Sequence, residues 1–188
     1  MHAIALAGPA VEPIPLAEMR AYLRLDSDAE DALVAGLIAA ARLAIEGATR
    51  LALIAQTWRV LIEHWPADGA FSLPLAPVLS VEAVRLVPRS GASVLVDPVS
   101  YRLDPGCDPA RLLIDLSAMQ PLHSDRIEVD ITAGFGPNPE SVPEPLRLAI
   151  RRLASRWFEH RGDTAIPAGP LDPDIVALLA PYARPRLV

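Results

Sequence analysis

The sequence predicts an α+β fold. Two helices from its N-terminal part and two from its C-terminal part form a helical bundle, with a small antiparallel β unit inserted between them. Three observations carry this reading. Apolar residues recur at helical spacing over residues 14–54 and again over 143–181. Between them, over residues 55–133, short runs alternate apolar and polar residues with the period of a strand. Proline and glycine gather where one pattern gives way to the other, and the 20 prolines are about twice the usual share.

Taken in order, residues 1–13 are small and punctuated by proline, and read as a flexible N-terminal arm. "IPLAEMRAYLRL" is a short helix: Pro15 suits the first helical position, and Leu16, Met19 and Leu23 share a face. "SDAEDALVAGLIAAARLAIEGATR" is the clearest helix. Ser27 and Glu30 have capping-box spacing, and Asp28 and Asp31 place negative charge near the positive end of the helix dipole. Leu33, Leu37, Ala41, Ala44 and Ala48 form one stripe, widened by Val34, Ile38 and Ile45. Its small residues let another helix come close, while Gly36 and Gly47 weaken the helix slightly.

The pattern changes after residue 54. "QTWRVLIEHW" alternates Trp58, Val60 and Ile62 against Arg59 and Glu63, and "PADG" is a turn. "AFSLPL", "LSVEAVRLV", "SVLVD", "SYRLD" and "RLLIDL" are further strand-like runs. In "DRIEVDITA", Ile127, Val129 and Ile131 face one way and Arg126, Glu128 and Asp130 the other, which calls for one wet face. Residues 134–142 are a Gly/Pro joint, with Gly134 and Gly136 as its hinge. In "PEPLRLAIRRLASRWFEHRG", Leu146, Ile150, Leu153 and Trp157 make an apolar stripe, and Gly162 ends the helix. "LDPDIVALLAPY" is a last short helix, with Asp172 as cap, Pro173 in first position and Pro181 at the end. Residues 182–188 are a C-terminal tail.

Composition narrows the function. The net charge is -6, which argues against tight nonspecific binding along duplex DNA but suits a wall past which DNA slides. Every basic residue is arginine, as a GC-rich coding sequence would give. Cys107 is the single cysteine, so no intramolecular disulfide and no cysteine-based zinc site is expected. The first residues lack the basic start and apolar run of a signal peptide, and no apolar stretch is read as long enough to span a membrane. The expected compartment is a reducing cytoplasm.

The residue types that carry chemistry do not assemble into a site in the sequence. "GFGPNPESVPEPL" has the glycines of a phosphate loop, but Pro137, Pro139, Pro143 and Pro145 have no N–H to offer an anion, and the helix begins about ten residues too late. His2, His64, His123 and His160 lack ligand spacing, and Cys107 sits between two aspartates that disfavour a thiolate. No catalytic, cofactor or metal residue is assigned. The distinctive charged feature is the arginine face Arg147, Arg151, Arg152 and Arg156. It is either solvated and paired with nearby acids or a surface for a neighbouring subunit or another protein. The tail residues Tyr182, Arg184, Pro185, Arg186 and Leu187 have the make-up of a segment that docks extended on a partner.

Two long stretches resemble the head–tail connector (adaptor) proteins of long-tailed phages and prophages. One is "EPIPLAEMRAYLRLDSDAEDALVAGLIAAARLAIEGATRLALIAQTW". The other is "VDITAGFGPNPESVPEPLRLAIRRLASRWFEHRGD": a strand ending in Gly-aromatic-Gly, a proline-led helix, then Trp-aromatic-Glu-x-Arg. The likeness spans residues 12–163 and departs at Arg50, where a glycine is expected after Thr49. The lysine-free style suits a prophage or a gene transfer agent.

The resemblance implies a non-enzymatic structural protein. It implies a ring of about twelve copies closed by heterologous contacts, lying between the portal and the next tail or head-closure protein. DNA would pass through the centre without sequence-specific binding. It implies particle-neck localisation after assembly in a bacterial cytoplasm, no cofactor, no membrane, and a C-terminal segment that reaches onto the portal. The helical segments are expected to form the ring body and the β region to project towards the tail. The rival readings are a head-closure or tail-completion protein, a small nucleotide-binding enzyme using residues 134–146, and a host β-rich binding module.

Overall fold

The structure, a computed structural model, describes residues 2–63, 68–88, 92–115, 117, 126–161 and 171–183. Among the described residues it is α+β, with four α-helices and two antiparallel sheets. The chain divides into two compact units, Met1–Pro9 with Ala55–Phe135, and Ala10–Ile54 with Gly136–Val188.

Among its described residues the first unit is built of β-strands, with one 3₁₀ turn at Pro98–Ser100. Strand β1 (His2–Ala5) belongs to it, so the expected flexible arm is corrected at residues 2–5. β1 pairs antiparallel with β2 (Gln56–Ile62), His2 opposite Leu61 and Ala5 opposite Trp58. The edge of β2 carries backbone groups that need partners, and this short segment supplies them. After β3 (Ala70–Ser72), β4 (Val78–Val87), β5 (Val94–Leu95), β6 (Tyr101–Asp104) and β7 (Arg111–Ile114), β8 (Arg126–Ala133) completes the unit. The larger sheet runs β1-β2-β8-β4-β5, and the smaller β3-β7-β6. The inserted region is therefore two sheets.

The central strand β8 is flanked on both sides, and Ile127, Val129 and Ile131 are buried as their alternation predicts. The opposite face differs from expectation at Asp130, which is only 7% exposed. Its position between β2 and β4 brings two arginines over it. β4 shifts register against β8 between Val78 and Ser80 and between Val81 and Ala83, as a bulged strand does.

The second unit is helical. α1 spans Leu16–Leu23, α2 Asp31–Thr49, α3 Glu144–Glu159 and α4 Pro173–Leu179. α2 packs on α3, α1 on both, and α4 on α3. α3 buries Leu146, Ala149, Ile150, Leu153 and Ala154 along the predicted stripe, with Trp157 half-buried. Pro143 holds extended backbone at the N-cap and Pro145 lies in the first turn, where a missing N–H costs nothing. The helix closes at Glu159; Gly162, read as its terminator, lies outside the described residues.

α2 departs from expectation in three ways. It begins at Asp31, and Glu30, not Ser27, holds the N-cap position without a side-chain cap. Its packed side is Val34, Ile38, Ala41, Arg42, Ile45 and Thr49, while Leu33 and Ala48 are exposed. At 19 residues it is also long and apolar enough, by length and composition alone, to cross a membrane. Thr49 ties the last turn: its Oγ1 donates to the Ile45 carbonyl at 2.7 Å. Arg50 then takes the left-handed conformation, φ 60. That is the position at which the resemblance calls for glycine.

At α4, Asp172 is the N-cap residue by position, but it makes no side-chain cap hydrogen bond and pairs with Arg156 instead. A 3₁₀ turn, Ala180–Tyr182, follows the helix and contains Pro181.

Candidate functional site

The arginine face of α3 lies within the helical unit. Arg147 and Arg151 reach one carboxylate of α1: Arg147 Nη2 donates to Glu18 Oε2 at 2.7 Å and Arg151 Nη1 to Glu18 Oε1 at 2.6 Å. Both also pair with Glu144 on their own helix, and Arg147 Nε donates to the Pro13 carbonyl at 3.2 Å. Burial alone would lower the pKa of Arg151; its hydrogen bonds to Glu144 and Glu18 outweigh that and raise it. Farther along, Arg152 Nη1 donates to Asp174 Oδ2 at 2.9 Å, and Arg156 pairs with Asp172. The four arginines thus clasp α1 on one side and α4 on the other. Arg152 keeps 44% of its side chain exposed, the most of the four. At the end of α3, the Arg161 guanidinium lies 4.7 Å from the centroid of the Phe158 ring.

A second polar cluster lies in this unit, with no motif to mark it in the sequence. Arg42, 7% exposed on the packed side of α2, donates from Nε to Glu12 Oε2 at 2.8 Å and from Nη1 to Glu46 Oε2 at 2.7 Å. Glu46 Oε1 accepts from the Leu53 N–H at 2.9 Å. Burial pushes the Glu46 carboxyl up, against the opposing pull of that N–H and of Arg42. The available signal was spacing: Arg42 and Glu46 follow Ile38 at i+4 and i+8, on the flank of the stripe made by Ile38, Ile45 and Thr49, the side that packs.

In the β unit, Asp130 is held by Arg59 of β2 and Arg85 of β4, and Glu128 beside it pairs with Arg59 and Arg126. The hydrogen bond from Arg59 holds the Asp130 carboxyl below its ordinary range, and Arg85 adds to this against the effect of burial. Cys107 Sγ donates to Asp104 Oδ2 at 3.7 Å. Among the described residues, no group of three or more His, Cys, Asp or Glu side chains could hold a metal ion.

Gly134 has φ 143 and donates its N–H to the Pro77 carbonyl at 2.9 Å. Gly136 is confined differently: a Cβ there would lie 2.5 Å from Ser141 Oγ. The last of the three points at which the chain passes between the two units falls between Phe135 and Gly136. Of the tail residues, Tyr182 closes the 3₁₀ turn, while Arg184, Pro185, Arg186 and Leu187 lie outside the described residues, as do His64 and His123.

These constellations are ion pairs and hydrogen bonds within each unit. No family model matches the chain, and neither does any curated protein. Solved structures do. A chain in the neck of an empty GTA particle, computed with C6 symmetry, is 33% identical with a TM-score of 0.83, over 100% of this chain and 98% of that one. A chain in the virion of a native gene transfer agent (GTA) particle is 33% identical with a TM-score of 0.80, over the same shares. The chain belongs to the family of gene transfer agent neck proteins. A third relative, from the neck of a native GTA particle computed with C12 symmetry, is 32% identical with a TM-score of 0.79. Such neck proteins are structural components of a phage-like particle, and the six- and twelve-fold symmetries point to multi-subunit rings in those necks.

Proposed function

We propose that this neck protein is the adaptor between the portal and the tail of a phage-like particle, present as a ring through which DNA passes. The carrying observation is the full-length likeness at 33% identity to a neck chain solved under cyclic symmetry. The adaptor resemblance of residues 12–163 supports the finer assignment over head closure. The role is non-enzymatic: the ionic clusters of both units are used within the chain, as the pairing of Glu18, Asp130 and Glu46 illustrates. A net charge of -6 suits a conduit that must not retain DNA. Arg152 and Arg156, on the outer part of the α3 face, are the arginines placed to share their charge with a neighbouring protein. Gly134 and Gly136 are the joint at which the β unit hands the chain back to the helical unit. Residues Tyr182, Arg184, Pro185, Arg186 and Leu187 are the segment that docks on the portal.

The test is capture of the portal protein by the full-length chain and by a chain ending at Pro181. The expected result is that the shortened chain keeps its melting temperature and loses most of its portal binding. Equal capture by both chains would remove the tail from the account.

A further inference from the structure

α2 is built with its polarity reversed. Between Ala32 and Ala48 its charged residues are Arg42 and Glu46, and both lie on the packed side. The outward side is entirely leucine, alanine and glycine: Leu33, Gly36, Leu37, Ala40, Leu43 and Gly47 follow one another along it. Leu43 is 59% exposed and Leu33 41%. From Leu33 to Gly47 the face runs about 20 Å at the rise of an α-helix. An isolated solvent face would carry charge instead.

The two glycines sharpen the point. Each weakens the helix by about 1 kcal/mol relative to alanine. A Cβ at Gly36 or Gly47 would meet nothing within 4 Å, so packing inside the chain does not require them. Glycines at these positions do serve a body that approaches the helix backbone from outside.

Three observations choose the occupant. The face has no cation, which excludes DNA as its partner. The helices it packs on are α1, only 8 residues long, and α3, which carries four arginines, and neither can accompany it across a bilayer. Chains 33% and 32% identical to this one occur in necks computed with C6 and C12 symmetry, where each copy of a chain has copies as neighbours. A cyclic ring needs two different surfaces on each subunit. The helical unit has a second, largely apolar feature, a groove of about 350 Å³ lined by Val11, Ile14, Pro15, Leu16 and Pro139 together with the α2 residues Ala35 and Ile38, with Glu12, paired to Arg42, as its one charged member. We infer that the outward face of α2 in one copy seats on the groove side of the next copy, and that this contact closes the ring. The inference rests on the neck-ring reading proposed above.

The experiment places the photo-crosslinking residue p-benzoylphenylalanine at position 43 of the full-length chain, in cells that make the particle, and irradiates purified particles. Leu43 is largely exposed, and a melting curve of the purified variant checks that it folds. The expected product has twice the 20.2 kDa mass of the chain, with the crosslink mapping to residues 11–16 or 139 of the second copy. A crosslink to a different protein, or joining position 43 to α2 of the second copy, would overturn the contact while leaving the neck reading intact. So would a folded Leu43→Glu variant that enters particles at the wild-type level, or flotation of the wild-type chain with neutral lipid vesicles through this face. Absence of the wild-type chain from particles would defeat the neck reading itself, and the contact with it.

Discussion

Arg59 and Asp130 stand directly opposite each other on β2 and β8, and the arginine donates from Nε and Nη2 to both carboxylate oxygens, at 2.7 and 2.9 Å. From the other flank, Arg85 Nη1 donates to Asp130 Oδ2 at 2.5 Å. One carboxylate on the central strand therefore ties three adjacent strands, and the two arginines cover what would otherwise be a charge buried alone.

The first prediction concerns that carboxylate. The folded-state pKa of Asp130 lies below its unfolded value, so its contribution to stability is present above the unfolded pKa, about 3.9, and is lost as pH falls through the lower folded value. Asp130→Asn should cost about 2 kcal/mol at neutral pH, because two arginines lose their charged partner. Denaturant unfolding of both proteins along a pH series checks this: the gap should shrink below about pH 4. A gap independent of pH would contradict the assignment.

Glu46 has the opposite sign. Burial raises its folded-state pKa, so the folded chain binds the proton more tightly, and this group's contribution falls as pH rises from about 4.3 through the raised value. Glu46→Gln keeps an acceptor for the Leu53 N–H and leaves Arg42 with Glu12, so about 1 kcal/mol is expected to be lost. Glu46→Ala removes the acceptor as well and should cost about 3 kcal/mol. Equal losses, read from chemical denaturation, would show that the acceptor does not matter.

At the joint, Gly136→Ala places a methyl group 2.5 Å from Ser141 Oγ and 2.7 Å from Ser141 Cβ, so about 2 kcal/mol should be lost. Ser141→Gly in the same chain removes both clashing atoms and should recover part of that. Thermal melting of the single and double variants decides it, and no recovery would place the strain elsewhere. Gly134→Val should also destabilise, because φ at that position is 143.

Arg50 supplies a prediction of the other sign. A non-glycine residue with φ 60 at the end of α2 bears a conformational cost of about 1 kcal/mol. Arg50→Gly should therefore raise stability by a few tenths to about 1 kcal/mol, the gain being reduced by the greater freedom of glycine in the unfolded chain. A lower melting temperature would mean that the Arg50 side chain contributes more than its backbone costs.

Much of this architecture is legible in the sequence because local period and tertiary packing agree. In α3, Leu146, Ile150 and Leu153 are apolar, correctly spaced and buried, and the opposite face carries arginines. In α2 the period was read correctly but the wrong side was chosen as the centre of the core. A helix that is apolar almost all round does not reveal which side packs, and Arg42 and Glu46 count against the true one until Glu12 and the Leu53 N–H are known. Asp130 was assigned to a wet face because alternation reports the side of a strand, not what covers it; Arg59 and Arg85 lie 71 and 45 residues away. β1 escaped because a short edge strand owes its form to the strand beside it. For the arginine face, the sequence offered solvated pairing and a protein surface together. The pairings to Glu18, Asp172 and Asp174 arise only from the folded arrangement.

The central claim is a place in the neck of a particle. Cryo-electron microscopy of particles from cells making this chain, reconstructed first without imposed symmetry, tests it most directly. The account predicts density for a ring of this chain's fold between the portal and the tail. Intact particles whose neck density is fully accounted for by other chains would contradict it.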